Sequence, residues 1–175
     1  MPARLGIDLG SSSIKLAKVN GKKVEVLGMT SNPVGKVVVE TEKERDALAE
    51  VIKRMMVEYK ISERRFRIVV PESVVYSRVI NLPVLSDAEL SSAIRWEAEQ
   101  YIPVPLDEAE LSWEVVDRPV KRTGGAKMRA YLAAEDKKLV NGLMAVFAEI
   151  GLEPERIEPE LVTTSRAIAL ERKLT

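Results

Sequence analysis

The chain has 175 residues, of which 46% are hydrophobic and 31% charged, enough apolar mass for one compact domain or two closely connected subdomains. Its 27 basic and 27 acidic residues cancel, so no global field draws it to nucleic acid or to an anionic membrane. It contains neither cysteine nor histidine, which excludes a disulfide framework, thiolate or imidazole catalysis and most zinc sites.

The N-terminus lacks a basic segment followed by a long apolar run, so neither a signal peptide nor a membrane span is read there. The lack of cysteine is compatible with a reducing cytosol, and work at a membrane would need a partner to bring the protein there. Leu5 to Leu9 reads as a first strand, Ser13 to Val19 as a second and Lys23 to Met29 as a third. Asn20-Gly21 is the tight turn between the last two. "SNPVG" then breaks the pattern.

Thr41 and Glu44 have capping-box spacing. Ala47, Leu48, Val51, Ile52, Met55, Met56 and Tyr59 follow at helical intervals, which predicts a helix from about Glu42 to Lys60. The two methionines read as core filling. "RFRIVV" is a buried strand ending at Pro71, and "VVYSRVINLP" is another, stopped by Pro83. Ser86 and Glu89 form a second capping box, with Leu85 placed for a hydrophobic staple. The helix they open runs to about Tyr101, before "PVP".

"AELSWEVV" and "AKMRAYLAAE" form a hairpin across the polar "DRPVKRTGG" loop. Asp136 is placed to cap a helix carrying Leu139, Val140, Leu143, Met144, Phe147 and Ile150, with Gly151 just past its end. "RIEP" is a short strand, and Pro159 suits the first turn of a last helix running to Thr175. The order from Arg78 to Ile157 therefore reads strand, helix, strand, strand, helix, strand. A βαββαβ unit of that kind is expected as an insertion.

The chemistry concentrates in "IDLGSSSIK". Asp8, at the end of a buried strand, can hold Mg²⁺ directly or through water. Gly10 brings backbone N–H groups toward a ligand. Ser11, Ser12 and Ser13 supply hydroxyl and amide donors for an anion nest. Lys15 is a point charge that can reach a phosphate. A plain hairpin turn built from small residues explains the glycine and serines equally well, but it requires neither the aspartate nor the lysine.

"LGIDLGSSSIKLAKV" resembles the first phosphate motif of the actin/Hsp70/sugar-kinase superfamily. "EAEQYIPVPLDEAELSWEVV", with the later "YLAAEDKKLVNGLMAVFAEIGLEPERIEPE", is similar to the PilM family of type IV pilus assembly within it. FtsA, the cell-division relative, matches less closely. The resemblance covers essentially the whole chain. It implies a mixed α/β, actin-like (ribonuclease H-like) subdomain IA over residues 1–77 and 158–175, with a βαββαβ subdomain IC inserted over 78–157.

It also implies an ATP and Mg²⁺ site at Asp8, Gly10, Ser11, Ser12, Ser13 and Lys15, with the metal on Asp8 through water. Such sites lie between two related halves. No second D-x-G loop follows Asp8, so the chain resembles an N-terminal half, either a fragment of a longer protein or a short natural one. Without a base pocket the loop forfeits most of the burial that holds a small ligand. Weak or absent ATP binding and no hydrolysis are expected of these residues alone.

The family implies a partner as well, the N-terminal cytoplasmic tail of a PilN-type inner-membrane protein. Arg78, Ile80, Leu82, Trp96 and Tyr101 are the expected contacts on this chain, suited to an apolar peptide. Trp96 lies off the Leu90, Ile94, Ala98 and Tyr101 stripe. It either packs under "PVP" or stands on the surface as a contact residue. Oligomeric state is left open, a homo-oligomer included. The favoured expectation is a cytoplasmic scaffold of pilus assembly. The alternatives are an ATPase or sugar-kinase-like phosphotransferase completed by a second half, and a ribonuclease-H-like nuclease. A nuclease needs convergent carboxylates and a basic duplex-binding face, which the zero net charge disfavours.

Overall fold

Alternation decides which side of the first strand is buried. In β1 (Arg4–Leu9), Leu5, Ile7 and Leu9 are buried, while Gly6 and Asp8 face the other way. β2 (Ser13–Asn20) buries Ile14 and Leu16 on the same side, and β3 (Lys23–Ser31) completes an antiparallel meander. The computed structural model describes residues 4–119 and 125–172. The expected helix end at Thr175 and part of the "DRPVKRTGG" loop lie outside them.

α1 (Glu42–Glu58) begins at the Thr41 capping box and buries Leu48, Ala49, Val51, Ile52, Met55 and Met56. Both methionines are core residues, as their spacing predicts. β4 (Arg65–Val70) pairs parallel to β1. A short 3₁₀ turn at Glu72–Val74 leads into β5 (Val75–Pro83), α2 (Asp87–Tyr101), β6 (Ala109–Asp117) and β7 (Lys127–Asp136). α3 (Lys137–Glu149), β8 (Glu153–Pro159) and α4 (Glu160–Arg172) follow.

The chain divides into two compact units, Met1–Val74 with Lys138–Thr175, and Val75–Lys137. The first holds a five-stranded sheet in the order β3-β2-β1-β4-β8. The rings of Phe66 on β4 and Phe147 on α3 meet at 4.7 Å between centroids, and α4 packs on β4 and β8. Gly151 ends α3 with a positive φ of 69°, the left-handed C′ geometry that glycine adopts without a Cβ penalty.

This pairing corrects the expected insertion. β8 lies parallel to β4, with Phe66 opposite Pro154 and Ile68 opposite Ile157. α3 and β8 therefore belong to the first unit, and the inserted unit is βαββ, ending at Lys137 rather than at Ile157. A strand's local pattern is the same whichever sheet receives it. The choice rests on a partner some ninety residues away. Pro159 also differs by one place, closing β8 opposite Val70, so that α4 starts at Glu160.

The inserted unit is an antiparallel sheet in the order β5-β7-β6. α2 opens at the Ser86 capping box, where Glu89 accepts from the Ser86 amide at 2.8 Å. It buries Leu90, Ile94 and Ala98 against Ile80, Leu82, Met128, Ala130, Leu132 and Ala134. Leu85 packs beside this core, as a staple would.

Gly142 sits inside α3, where glycine costs about 1 kcal/mol relative to alanine. Its position is explained by close approach, because a Cβ there would lie 2.8 Å from the backbone oxygen of Val39. Gly142→Val is expected to destabilise the chain by about 2 kcal/mol through overpacking, read by urea denaturation. Wild-type stability in that variant would show that the Val39 segment yields freely.

Candidate functional site

The β1–β2 register sets Asp8 opposite Lys15, and the Lys15 ammonium lies 2.8 Å from the Asp8 carboxylate. That hydrogen bond, and then the carboxylate's charge, holds the Lys15 pKa above its ordinary value. The expected metal anchor and the expected phosphate cation thus neutralise each other. The turn between them closes with the Gly10 amide donating to the Ser13 carbonyl at 2.9 Å. A Cβ on Gly10 would stand 3.0 Å from that same oxygen. Ser11 and Ser12 are exposed and Ser13 is half-buried, so the sequence-predicted phosphate residues do gather at one tight, accessible turn.

Asn32 holds this turn in place, and sequence reasoning missed it. It is 8% exposed, and its amide group donates to the Gly10 carbonyl at 2.8 Å and to the Lys36 carbonyl at 3.0 Å. Its side-chain oxygen accepts from the Val34 amide at 2.9 Å, and its own backbone N–H donates to the Ser12 carbonyl at 3.0 Å. Lys36 then reaches Glu40 at 2.7 Å and Glu44 at 3.0 Å. Glu44 accepts from the Glu40 and Thr41 amides at 2.9 and 3.1 Å. A continuous chain of hydrogen bonds therefore runs from the turn at Gly10 to the start of α1. The only sequence signal was the Asn-Pro pair inside "SNPVG", a turn former read as a breaker.

Phosphate chemistry fits this turn in part. Exposed serines, a tight glycine turn and a lysine are suitable donors for an anion. Magnesium is bound by one or two carboxylates together with waters and phosphate oxygens, so Asp8 alone suits a water-mediated contact. Among the described residues no group of three or more acidic side chains could hold a metal ion. The neighbouring hollow, of about 490 Å³, is walled chiefly by apolar or small residues, among them Gly6, Ala17, Leu27, Met29 and Val69. It touches Asp8 and Lys15 but not the serines, so the turn and the hollow are chemically distinct.

The partner-side residues divide. Ile80 and Leu82 are each 4% exposed in the core of the inserted unit. Their expected role as surface contacts is therefore corrected to packing. Alternation in β5 turns them under α2, while Arg78 on the same face lies beyond that cover. The Arg78 guanidinium stacks 4.0 Å over the Tyr101 ring, a cation–π contact. Trp96 is 64% exposed and does not pack under "PVP".

Two further residues come to this face. Arg78 and Trp113 both pair with Leu132, from opposite sides of β7, and Tyr76 pairs with Ala134 one step along. Tyr76 and Trp113 are 41% and 40% exposed. Tyr76, Arg78, Tyr101 and Trp113 form an exposed group of the residue types that dominate binding hot spots. Trp113 was legible only as one strand residue among several, because its neighbours across the sheet come from register.

Solved structures with the same arrangement are actin-like. A protein of actin-like ATPase fold from Bacteroides thetaiotaomicron matches with a TM-score of 0.54 and 11% identity, over 97% of this chain and 56% of that one. The cytoplasmic domain of EpsL, an inner-membrane component of the type II secretion system of Vibrio cholerae, matches at 0.60 and 13%, over 90% of this chain and 57% of that one. These two fix the class as a mixed α/β, actin-like fold. A chain of a PilM-PilN type IV pilus biogenesis complex matches at 0.76 and 28%, over 90% of this chain and 47% of that one.

The profile of the family described as type IV pilus assembly protein PilM matches residues 6–174, and the chain belongs to that family. It spans about half the length of the PilM chain it matches. No helix among the described residues is long and apolar enough to cross a membrane.

Asn32→Ala is expected to cost about 1–3 kcal/mol, since it strands two carbonyls near the interior. Amide exchange at Gly10 to Ser13 should quicken with it, and unchanged exchange would contradict the bracing role. Glu44 gives the network an acid limb. The Glu40 amide, then Lys36 and the Thr41 amide, lower its pKa from 4.5 to about 2. Its contribution to stability is therefore complete above pH 4.5 and lost as pH falls toward 2. An NMR titration should show the Gly10 and Lys36 amides shifting across that window, and Glu44→Gln should abolish the shift.

Proposed function

We propose that this chain is a binding platform of type IV pilus assembly that holds a segment of a PilN-type partner on its inserted unit. The family match across residues 6–174 carries the reading, and the likeness to the PilM chain of a PilM-PilN complex supports the choice of partner. The group formed by Tyr76, Arg78, Tyr101 and Trp113 is the surface that suits it. An apolar peptide would gain from aromatic walls and from a cation already oriented by a ring. We take the segment to be the partner's N-terminal cytoplasmic tail. The protein would then stand in the cytoplasm, held at the inner membrane by that tail.

In this reading the β1–β2 turn is the phosphate side of an actin-like nucleotide site. Ser11, Ser12 and the Gly10 backbone would take phosphate oxygens, Lys15 would leave Asp8 to meet them, and Asp8 would face magnesium through water. ATP bound there would supply the negative charge that separates the Asp8–Lys15 pair. With phosphate contacts alone, charges a few ångströms apart in water gain only about 1 kcal/mol. Binding by these residues should be weak, and turnover is not proposed.

A synthetic peptide of the PilN-type tail, titrated into the full chain, should shift the NMR signals of Arg78, Tyr101 and Trp113 together. Arg78→Ala should weaken it at least ~10-fold, equivalent to about 1.4 kcal/mol. Trp96→Ala separates the outward face of α2 from the sheet end. Loss in that variant alone would move the site to the helix. Silence of all these signals at millimolar peptide would refute the proposal.

A further inference from the structure

The second concentration of charge lies at the other end of β1 from the serine turn. Arg4 opens β1, Arg65 opens β4, and Arg67 stands opposite Gly6. Leu5 and Phe66, between them in sequence, point into the core at 3% and 1% exposure, so the three arginines share the opposite face. Together with Arg64 they line a cavity of about 570 Å³, whose remaining lining is Leu5, Glu63, Phe66 and Glu155. Four arginines and two glutamates thus line it, a local excess of two positive charges in a chain of zero net charge.

Both carboxylates have an ion-pair partner, although one oxygen of Glu63 is buried without a hydrogen bond. Glu63 holds Lys18 at 2.6 Å. Glu155 lies between Arg65 at 3.1 Å and Arg67 at 4.0 Å. The guanidiniums of Arg4 and Arg64 have no ion pair or side-chain hydrogen bond with any described residue. The cavity therefore already holds one carboxylate against Arg65 with Arg67 nearby, and Arg4 and Arg64 line it without an ion pair. Asp8 is four residues from Arg4 along an extended strand, about 13 Å away, so this is not the serine turn.

We propose that this cavity is an anion site for a phosphate group, carried either by a soluble polyphosphate or by a phospholipid headgroup. Donor count favours phosphate over carboxylate. A guanidinium offers five N–H donors in a fixed fork, and Arg–phosphate pairing is bidentate. One carboxylate has two oxygens and one charge, and Glu155 already supplies one beside Arg65 and Arg67. A phosphate has more oxygens and up to two charges, enough for Arg4 and Arg64 together. The lining contains no exposed aromatic face, because Phe66 is buried. A nucleobase would have no aromatic face to stack on, so the proposal is confined to the phosphate group.

The test uses the full chain at low ionic strength, where such pairs are least screened. One arm titrates sodium pyrophosphate by calorimetry. The other floats the protein with vesicles of phosphatidylglycerol and phosphatidylcholine against vesicles of phosphatidylcholine alone. Binding in the first arm assigns a soluble ligand. Binding only to the phosphatidylglycerol vesicles assigns a headgroup. Arg4→Gln with Arg64→Gln should weaken the positive arm at least ~10-fold, while Lys43→Gln with Arg54→Gln, an equal charge loss on α1, should leave it unchanged. Glu155→Gln should strengthen it several-fold by freeing Arg65 and Arg67, a gain that misfolding cannot imitate. Failure of both probes, equal loss in the two double variants, or no gain with Glu155→Gln would overturn the proposal.

Discussion

The arrangement of the first unit depends on the amide of Asn32. Two loops, the serine turn and the "SNPVG" stretch, meet at this one side chain. Backbone carbonyls buried without donors are costly, and Asn32 supplies both donors in fixed geometry. A serine or aspartate there could not do so, because neither offers two N–H groups. The turn is consequently tied to the N-terminus of α1 through Lys36 and Glu44. Changes at the turn would be transmitted to a helix end rather than dissipated in a free loop.

Much of this fold was legible because its signals are local. Both capping boxes, the meander, the stop before "PVP" and the C′ glycine each depend on a few neighbouring residues, and each stands where the sequence places it. The failures share a different character. The placement of β8, the burial of Ile80 and Leu82 and the company kept by Trp113 are all decided by partners distant in sequence. Alternation tells which residues of a strand share a face. It does not tell how far along that face a helix extends.

The candidate site shows the same division. Asp8 and Lys15 were readable as a pair because a short turn forces them opposite each other. Their neutralisation of one another follows from the same register, and it makes the turn a self-satisfied structure whether or not a ligand comes. The exposed aromatic group on the inserted unit was half readable. Arg78 and Tyr101 could be named from the family resemblance, but their stacking and the presence of Tyr76 and Trp113 beside them required the sheet.

The inserted unit begins and finishes on adjoining strands. Val75, the first residue of β5, is the partner of Glu135, the penultimate residue of β7, and the two stand about 5 Å apart, two residues short of the unit's end at Lys137. The host chain therefore leaves and resumes at nearly the same point. Sixty-three residues occupy a gap that a very short connection would span, and the closure entropy of the host is almost indifferent to what fills it. A module joined in this way can be enlarged, exchanged or lost over evolution while the five-stranded sheet keeps its strand order. The inserted surface can thus change without disturbing the framework that holds the serine turn.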